Sequence, residues 1–342
     1  MIKSISLIGN YSFYQRAPAW YKTLSELGYS VKTVHEPLSL TNRSNLYHRL
    51  QTRYQFGPSL HKYTQECLSK LINYNSDLNI FLKCLPFNGK DIDQLSRRSS
   101  SYNILYNNDN MFGPLSHRPM WRKMKSAISH YDSIICYRDQ CCSNYSSFGA
   151  NSVYLMHSYY LPWIHFPLSS RVYKHDVCFI GHYEEDNRLS YINTILNDPS
   201  ITLYIRGPGW GNTSVQSKFK DNLNIGLIGS KYSSMIRQSR IGLAFFSALN
   251  EDLYTRRVFE IPACGTFLLA PRTHVMQSIF EEDKEAVFFS TKEEMLDKIK
   301  FYLAHNTLRE QIALSGYNRS IASGYDIKSR LKALLNHYSL QV

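Results

Sequence analysis

No stretch of the 342-residue chain approaches the run of about 18 apolar residues that a spanning helix requires. The first nine residues carry one lysine and a short apolar run before the chain turns polar and aromatic, so neither a signal peptide nor a transit peptide is expected and the reading is a soluble, cytoplasmic protein. Internal repeats and low-complexity segments are missing, which excludes solenoids and extended disordered tracts. The seven cysteines (67, 84, 136, 141, 142, 178, 264) are odd in number, form no CxxC and lie mostly in apolar strand-like segments. Reduced, buried thiols are therefore expected rather than disulfides or a zinc site. Consecutive runs of five or six Lys/Arg are also missing, which argues against a disordered nucleic-acid-binding tail.

What is present is an ordinary globular composition, 43% hydrophobic and 19% charged, with a heavy load of 26 Tyr and 17 Phe. The length corresponds to about two domains. A formal charge of +12 predicts attraction to something anionic: nucleic acid, an acidic membrane surface or phosphorylated substrates. The excess is uneven. Residues 1–160 hold 18 basic against 9 acidic residues, and residues 161–342 hold 21 against 18.

Short apolar runs alternate with segments of helical spacing. Strands are expected at 2–8, 30–34, 78–82, 102–106, 133–137 and 152–155, with helices at 18–27, 91–96, 119–129 and 139–147 between them. Residues 36–76 show no clear periodicity. A stretch rich in proline and aromatics, 162–167, reads as a connection. A second series follows, with strands at 176–180, 202–205, 241–245, 266–269 and 286–289 and helices at 184–196, 232–239, 257–263, 292–304, 308–320 and 327–337. The fold class is α/β: two doubly wound, Rossmann-like domains facing across a cleft, over 1–160 and 161–325, with a last helix in 326–342 packing back on the first. Ligands in such sheets bind beyond the carboxyl ends of strands, so the loops there carry the candidates.

The most informative segment is Asn250-Glu-Asp-Leu-Tyr-Thr-Arg-Arg-Val-Phe-Glu-Ile-Pro-Ala-Cys-Gly-Thr-Phe-Leu-Leu269. It reads as loop, helix, glycine stop and strand. Thr255 is the expected helix cap, and free N–H groups there beside Arg256 and Arg257 suit a diphosphate. Glu260, one turn on, can accept hydrogen bonds from two vicinal sugar hydroxyls. A surface helix with one salt bridge accounts for the same spacing. Arg206-Gly-Pro-Gly-Trp-Gly211 lacks the G-x-G-x-x-G spacing, Gly9 stands alone after the first strand, and Gly226-Leu-Ile-Gly-Ser-Lys231 lacks that of a P-loop. A nicotinamide, flavin or P-loop enzyme is not expected.

Arg257-Val-Phe-Glu-Ile-Pro-Ala-Cys-Gly265 resembles the R-x-F-E-x-x-A-C-G signature of CgeB-like (spore maturation protein-like) glycosyltransferases, within the GT-B superfamily. Asp176-Val-Cys-Phe-Ile-Gly181-His182 with Arg188, Tyr204-Ile-Arg-Gly-Pro-Gly-Trp210, Ile279-Phe280 with Glu285, and Arg309-Glu-Gln-Ile-Ala-Leu-Ser-Gly316 follow that family's order. The likeness covers residues 130–335. It implies a second domain that holds a nucleotide sugar, a UDP- or GDP-sugar, with Glu260 on the ribose and Arg257 on the diphosphate. Arg256, Thr255, Tyr254, Gly181 and His182 are placed beside the donor, and the loop with Arg206, Gly207 and Trp210 near the base. The acid eight positions before Glu260 is Asp252, which the resemblance places on the donor sugar, with Glu251 as its competitor. No metal or other cofactor is expected.

In the first half, Tyr106-Asn-Asn-Asp109-Asn-Met-Phe-Gly113 resembles the same family's acidic "DD.fG" loop. Asp109 is the candidate general base, since inverting transfer needs a carboxylate or imidazole within reach of the acceptor hydroxyl; a turn-forming Asp is the alternative. The aromatic loop 10–16 is a candidate acceptor surface, and His157 a structural group. Asp91-Ile-Asp93 has the D-x-D form of a metal motif, but helix capping explains it more simply.

The expected function is transfer of a sugar from a nucleotide-activated donor to a hydroxyl of a glycan, lipid-linked or protein acceptor. Two alternatives remain: a non-catalytic sugar-nucleotide or glycan-binding protein of the same fold, and a nucleic-acid-binding protein, though nucleic acid is not the expected partner. The basic first half points to an anionic acceptor or to peripheral docking at the inner face of the cytoplasmic membrane.

Overall fold

The computed structural model describes residues 2–12, 16–36, 45–219, 223 and 226–340. Its contacts divide the chain into two units, one running to His157 and resuming at Ile327, the other Ser158–Asp326.

Unit 1 is built on six parallel strands: β1 (Ser4–Gly9), β2 (Ser30–His35), β3 (Leu78–Leu82), β4 (Tyr102–Asn107), β5 (Ser133–Cys136) and β6 (Val153–Leu155). Their order is β2-β1-β3-β4-β5-β6. Strands covered on both faces read as continuous apolar runs rather than alternations, and β3 is buried at all five residues. Helices α1 (Ala17–Glu26), α2 (Leu46–Tyr54), α3 (Pro58–Tyr74), α4 (Gly89–Arg98), α5 (Arg122–Ala127) and α6 (Asp139–Ser147) connect them. Phe81, Phe87, Trp121, Tyr131 and Tyr145 are central to the core, which accounts for much of the aromatic load. The C-terminal helix, Ile327–Ser339, belongs to this unit and packs on α1, with the Tyr338 hydroxyl 2.8 Å from that of Ser133.

Unit 2 carries β7 (His175–Ile180), β8 (Leu203–Arg206), β9 (Ser239–Leu243), β10 (Phe267–Pro271) and β11 (Val287–Phe289), all parallel in the order β11-β10-β9-β7-β8. Its helices are α7 (Arg188–Leu196), α8 (Gly229–Arg237), α9 (Arg257–Ala263), α10 (His274–Ile279), α11 (Lys292–Ala304) and α12 (Asn306–Ala322). From β7 the next strand lies on one side and the one after it on the other. Strand order therefore reverses at β7/β9, as it does at β1/β3 in unit 1, and the crevice beyond the carboxyl ends at such a point is where ligands fit.

Several expectations need correction. The helix expected from residue 184 starts at Arg188, because Glu184 and Asp186 are held in the preceding loop as ion-pair partners of that arginine. The strand expected at 241–245 is β9, displaced two residues earlier, and the helix expected at 232–239 is α8, which starts at Gly229. Thr255 is not a cap: α9 starts at Arg257, its cap position is Arg256, and no side chain caps it. The unassigned stretch contains α2 and α3, and its residues 37–44 lie outside the described residues, as do 13–15 of the aromatic loop.

Candidate functional site

At the carboxyl end of β7 the backbone is fitted closely enough that only glycine serves. Gly207 has φ +152°, and a methyl group there would overlap the Gly181 carbonyl. The Gly181 N–H donates to the Arg206 carbonyl at 2.8 Å, and the Gly181 carbonyl accepts from Trp210 Nε1 at 2.8 Å. Trp210 is fully buried, so its indole braces this turn from inside the core, and any contact of the 207–210 loop with a base falls to its other atoms. Gly181 also makes room for Arg257. A Cβ at 181 would lie 2.7 Å from Arg257 Nη2, and Arg257 Nε donates to the Ile180 carbonyl. The guanidinium thus reaches from the start of α9 to the end of β7.

Arg188 ties the neighbouring loops together. Only 5% of this side chain is exposed, and it forks onto Asp186 at 2.8 and 2.7 Å, reaches Glu184 at 3.3 Å and donates to the His182 carbonyl at 2.6 Å. Ser247, from the loop after β9, donates to Glu184 at 2.7 Å. His182 is exposed. Desolvation first, then the charge of Arg257, lowers its pKa and keeps the imidazole neutral.

Glu260 is buried on α9, at 3% exposure. Its Oε1 lies 3.6 Å from Arg256 Nε and 3.8 Å from His165 Nε2, and has no hydrogen-bond partner. His165 Nδ1 accepts the Leu161 N–H at 3.0 Å, which fixes a proton on Nε2, facing Glu260. Burial lowers the pKa of this histidine despite the Glu260 charge. Tyr232 packs edge-on against His165, and burial and the Glu260 charge push its phenol pKa up. Arg237 straps the segment carrying His165, donating to the Ile164 and Phe166 carbonyls at 3.2 and 3.3 Å. The proline-rich stretch read as a connection is thus packed into unit 2. Among the described residues of this unit, five buried side-chain polar atoms lack a partner, and four belong to Glu260, His165, Tyr232 and Arg237. Native interiors leave few such atoms, so their concentration at one point marks a place prepared for another polar group. Arg237 also lines an open pocket of ≈ 570 Å³ with Tyr204, Lys231 and Ser230.

The remaining candidates of unit 2 divide. Tyr254 is buried, with its hydroxyl accepting the Ser158 N–H at 3.3 Å and its ring packed on Phe259, which withdraws it from ligand contact. Thr255 contributes its carbonyl to the first turn of α9. Asp252 is half-buried in the loop after β9, with its N–H on the Ser247 carbonyl at 2.9 Å, beside Glu251 at φ +51°. Arg206 is half-buried and donates to the Tyr204 hydroxyl at 3.1 Å.

In unit 1, Asp109 is ion-paired with Lys83, which stands at the end of β3 with φ +55°. Burial pushes the Asp109 carboxyl up, but Lys83, aided by Arg16 and Arg138, outweighs it and holds the pKa below the ordinary value. A carboxylate so stabilised is a weak proton acceptor, which tells against its expected part as general base. Arg138 Nη1 donates to the Asn108 carbonyl at 2.7 Å and fixes the loop. His157 pairs with Asp139 at 2.8 Å. Asp91 forms a capping box with Asn88, and Asp93 binds His130 at 2.7 Å, so both carboxylates of the D-x-D triplet are engaged. His165, Tyr232, Arg237 and Lys83 escaped the sequence reading, because no local motif surrounds any of them.

Residues 189–336 match the family model described as glycosyl transferase-like. The whole chain superposes on solved structures of the same architecture. The chain has the GT-B fold. Sucrose-phosphate synthase from Thermosynechococcus elongatus matches with a TM-score of 0.71 at 12% identity, over 99% of both chains. HepE of Anabaena, in complex with UDP and glucose, matches at 0.66 and 11% identity, over 98% of this chain and 99% of that one. A glycosyltransferase from Rickettsia africae matches at 0.67 and 11% identity, over 98% of both chains. No curated protein sequence matches. At these identities the GT-B likeness establishes architecture, and the glycosyl transferase-like sequence match falls on the segment that carries Arg256, Arg257 and Glu260.

Proposed function

We infer that this GT-B protein is a glycosyltransferase that moves a sugar from a nucleotide-activated donor to a hydroxyl of a glycan, lipid-linked or protein acceptor. The observation that carries the reading is the buried Glu260 carboxylate, with one oxygen unpartnered, on the same helix turn as two arginines at the strand-order reversal of unit 2. A ribose presents two adjacent hydroxyl donors, which a carboxylate accepts as a pair. The diphosphate then falls to Arg257 and Arg256, whose fixed positive charge offsets the negative charge that develops as the sugar departs. These guanidiniums replace a metal ion in that role, so chelator is expected to leave transfer unchanged. Asp252 is the acid nearest in sequence to serve the donor sugar, and the exposed His182 stands at the same edge. The finer likeness to CgeB-like enzymes rests on the motif order over residues 130–335.

Support for a nucleotide donor comes from structures of the same fold solved with UDP or a UDP-sugar. Calorimetry against a panel of UDP- and GDP-sugars, followed by product analysis with a broad acceptor set, tests the reading. Saturable donor binding with sugar transfer is expected. Binding without transfer or donor hydrolysis would leave a sugar-nucleotide-binding protein of this fold, and no binding at all would remove the donor assignment.

A further inference from the structure

Helix α2 is turned inside out relative to an ordinary surface helix. Its buried side chain is Gln51, whose Oε1 accepts the Ser59 N–H at 3.2 Å, and Gln55 at its end is buried too, donating to the Thr52 carbonyl at 2.6 Å. Its apolar residues face solvent: Leu46 is 66% exposed, Leu50 46%, Tyr54 50%, and Phe56 just beyond the helix 79%. Leu46, Leu50 and Tyr54 repeat every four residues and so form one strip. Arg49 and Arg53, both exposed, run along the strip's edge. The 3-10 turn Pro119–Trp121 packs against α2 and brings the exposed Arg118 and Arg122 to the same part of the surface. Residues 45–65 and 110–131, the segments that carry these features, contain seven Lys/Arg and no Asp or Glu.

We propose that α2 and the adjoining 118–125 segment form a membrane-docking face that seats on an anionic phospholipid surface, with the Leu46/Leu50/Tyr54 strip entering the headgroup–acyl boundary and the arginines on lipid phosphates. Apolar side chains displayed outward with exposed arginines at their edge match the two components of an interfacial helix: buried apolar area and attraction to negative lipid. The same charge explains where much of the excess of the first half resides. The inference concerns unit 1 alone and does not depend on the donor assignment in unit 2.

The test is co-sedimentation of the full chain with vesicles of mixed phosphatidylglycerol and phosphatidylcholine, and with vesicles of phosphatidylcholine alone. Binding to the mixed vesicles, weak binding to the neutral ones and release by salt are expected. One cation near such a surface changes affinity about fivefold, so Arg49→Glu with Arg53→Glu should weaken binding by at least about 25-fold. Leu46→Ser with Leu50→Ser should weaken it at least about tenfold. The altered residues are exposed, so thermal melting and nucleotide affinity should match the parent protein and certify the fold. Equal binding to both vesicle types, parental binding by either double variant, or no vesicle binding, as a protein-docking face would give, overturns the proposal.

Discussion

Replacing Glu260 by Gln separates a carboxylate held for a ligand from one held for the fold. The two roles predict opposite pairs of results. A hydrogen bond to a charged acceptor contributes about 1.5–3 kcal/mol, and a ribose diol offers two. Gln keeps one accepting oxygen and loses the charge, so about half of that interaction should go, roughly 1.5–3 kcal/mol, or a nucleotide affinity about 12- to 150-fold weaker. The free protein should respond differently. Oε1 of Glu260 is buried without a hydrogen bond, and its nearest cation, Arg256, is at 3.6 Å and 29% exposed. Removing the charge relieves a desolvated carboxylate and gives up only a long, partly solvated ion pair. Stability should therefore stay level or rise by up to about 1 kcal/mol, a Tm change of about 2–4 °C at most for a domain of this size. Isothermal calorimetry with UDP and GDP, paired with thermal melts without ligand, reads both quantities. Unchanged nucleotide affinity together with a stability loss of about 2 kcal/mol or more would refute the ribose assignment and make Glu260 a structural anion.

Three further outcomes follow from the bracing of the two sites. Trp210→Phe removes the indole donor to the Gly181 carbonyl while keeping most of the ring volume; it should cost about 1–3 kcal/mol in denaturant titration, and a cost near zero would show the indole N–H to be dispensable. Arg188→Met leaves Asp186 and Glu184 without their cation and should cost about 3–5 kcal/mol; full stability in the variant would mean that water replaces the guanidinium without penalty. Asp109→Asn should cost about 1 kcal/mol at neutral pH. Because the folded-state pKa of Asp109 lies below the unfolded value of about 3.9, the wild-type advantage is fully present above that pH and disappears as pH falls through the folded value; a deficit that persists unchanged in acid would contradict the Lys83 pairing.

The two sheets were legible because buried parallel strands are written as apolar runs, and runs such as Leu78-Asn-Ile-Phe-Leu82 or Phe267-Leu-Leu-Ala270 need no periodicity to be recognised. Helix α2 was not, for the reason given by its structure: it buries glutamines and shows leucines, and no inward apolar stripe exists to be found. Helix α3 does have one, at Leu60, Thr64, Cys67, Leu68 and Leu71, but polar and tyrosine neighbours obscure it. Within the site, Arg257 and Glu260 were visible because three residues of spacing on one helix carry the relation between them. His165 and Tyr232 meet Glu260 only through the fold, from the stretch before β7 and from α8, so nothing local announces them.

Trp210, Arg188 and Asp109 show why a motif at a strand's carboxyl end is an ambiguous signal. Loops there have little regular structure of their own, yet must hold charged groups to within a fraction of an ångström for catalysis or binding. Part of each motif therefore serves the loop rather than the ligand. The structure separates the two by satisfaction: Trp210 Nε1 is spent on Gly181, the Arg188 fork on Asp186 and His182, and the Asp109 carboxylate on Lys83. Charge does not discriminate, since Arg188 and Arg257 are equally cationic. What distinguishes the Glu260 group is that burial has removed water from one polar atom in each of four side chains while the chain supplies those atoms only contacts longer than a good hydrogen bond, a condition that costs about 1–3 kcal/mol per atom and is retained where a ligand relieves it. On this argument the free protein should be measurably stabilised by UDP or GDP alone, without the sugar, because the ribose is the part that meets the unpaired carboxylate; stabilisation that requires the sugar would move the prepared site away from Glu260.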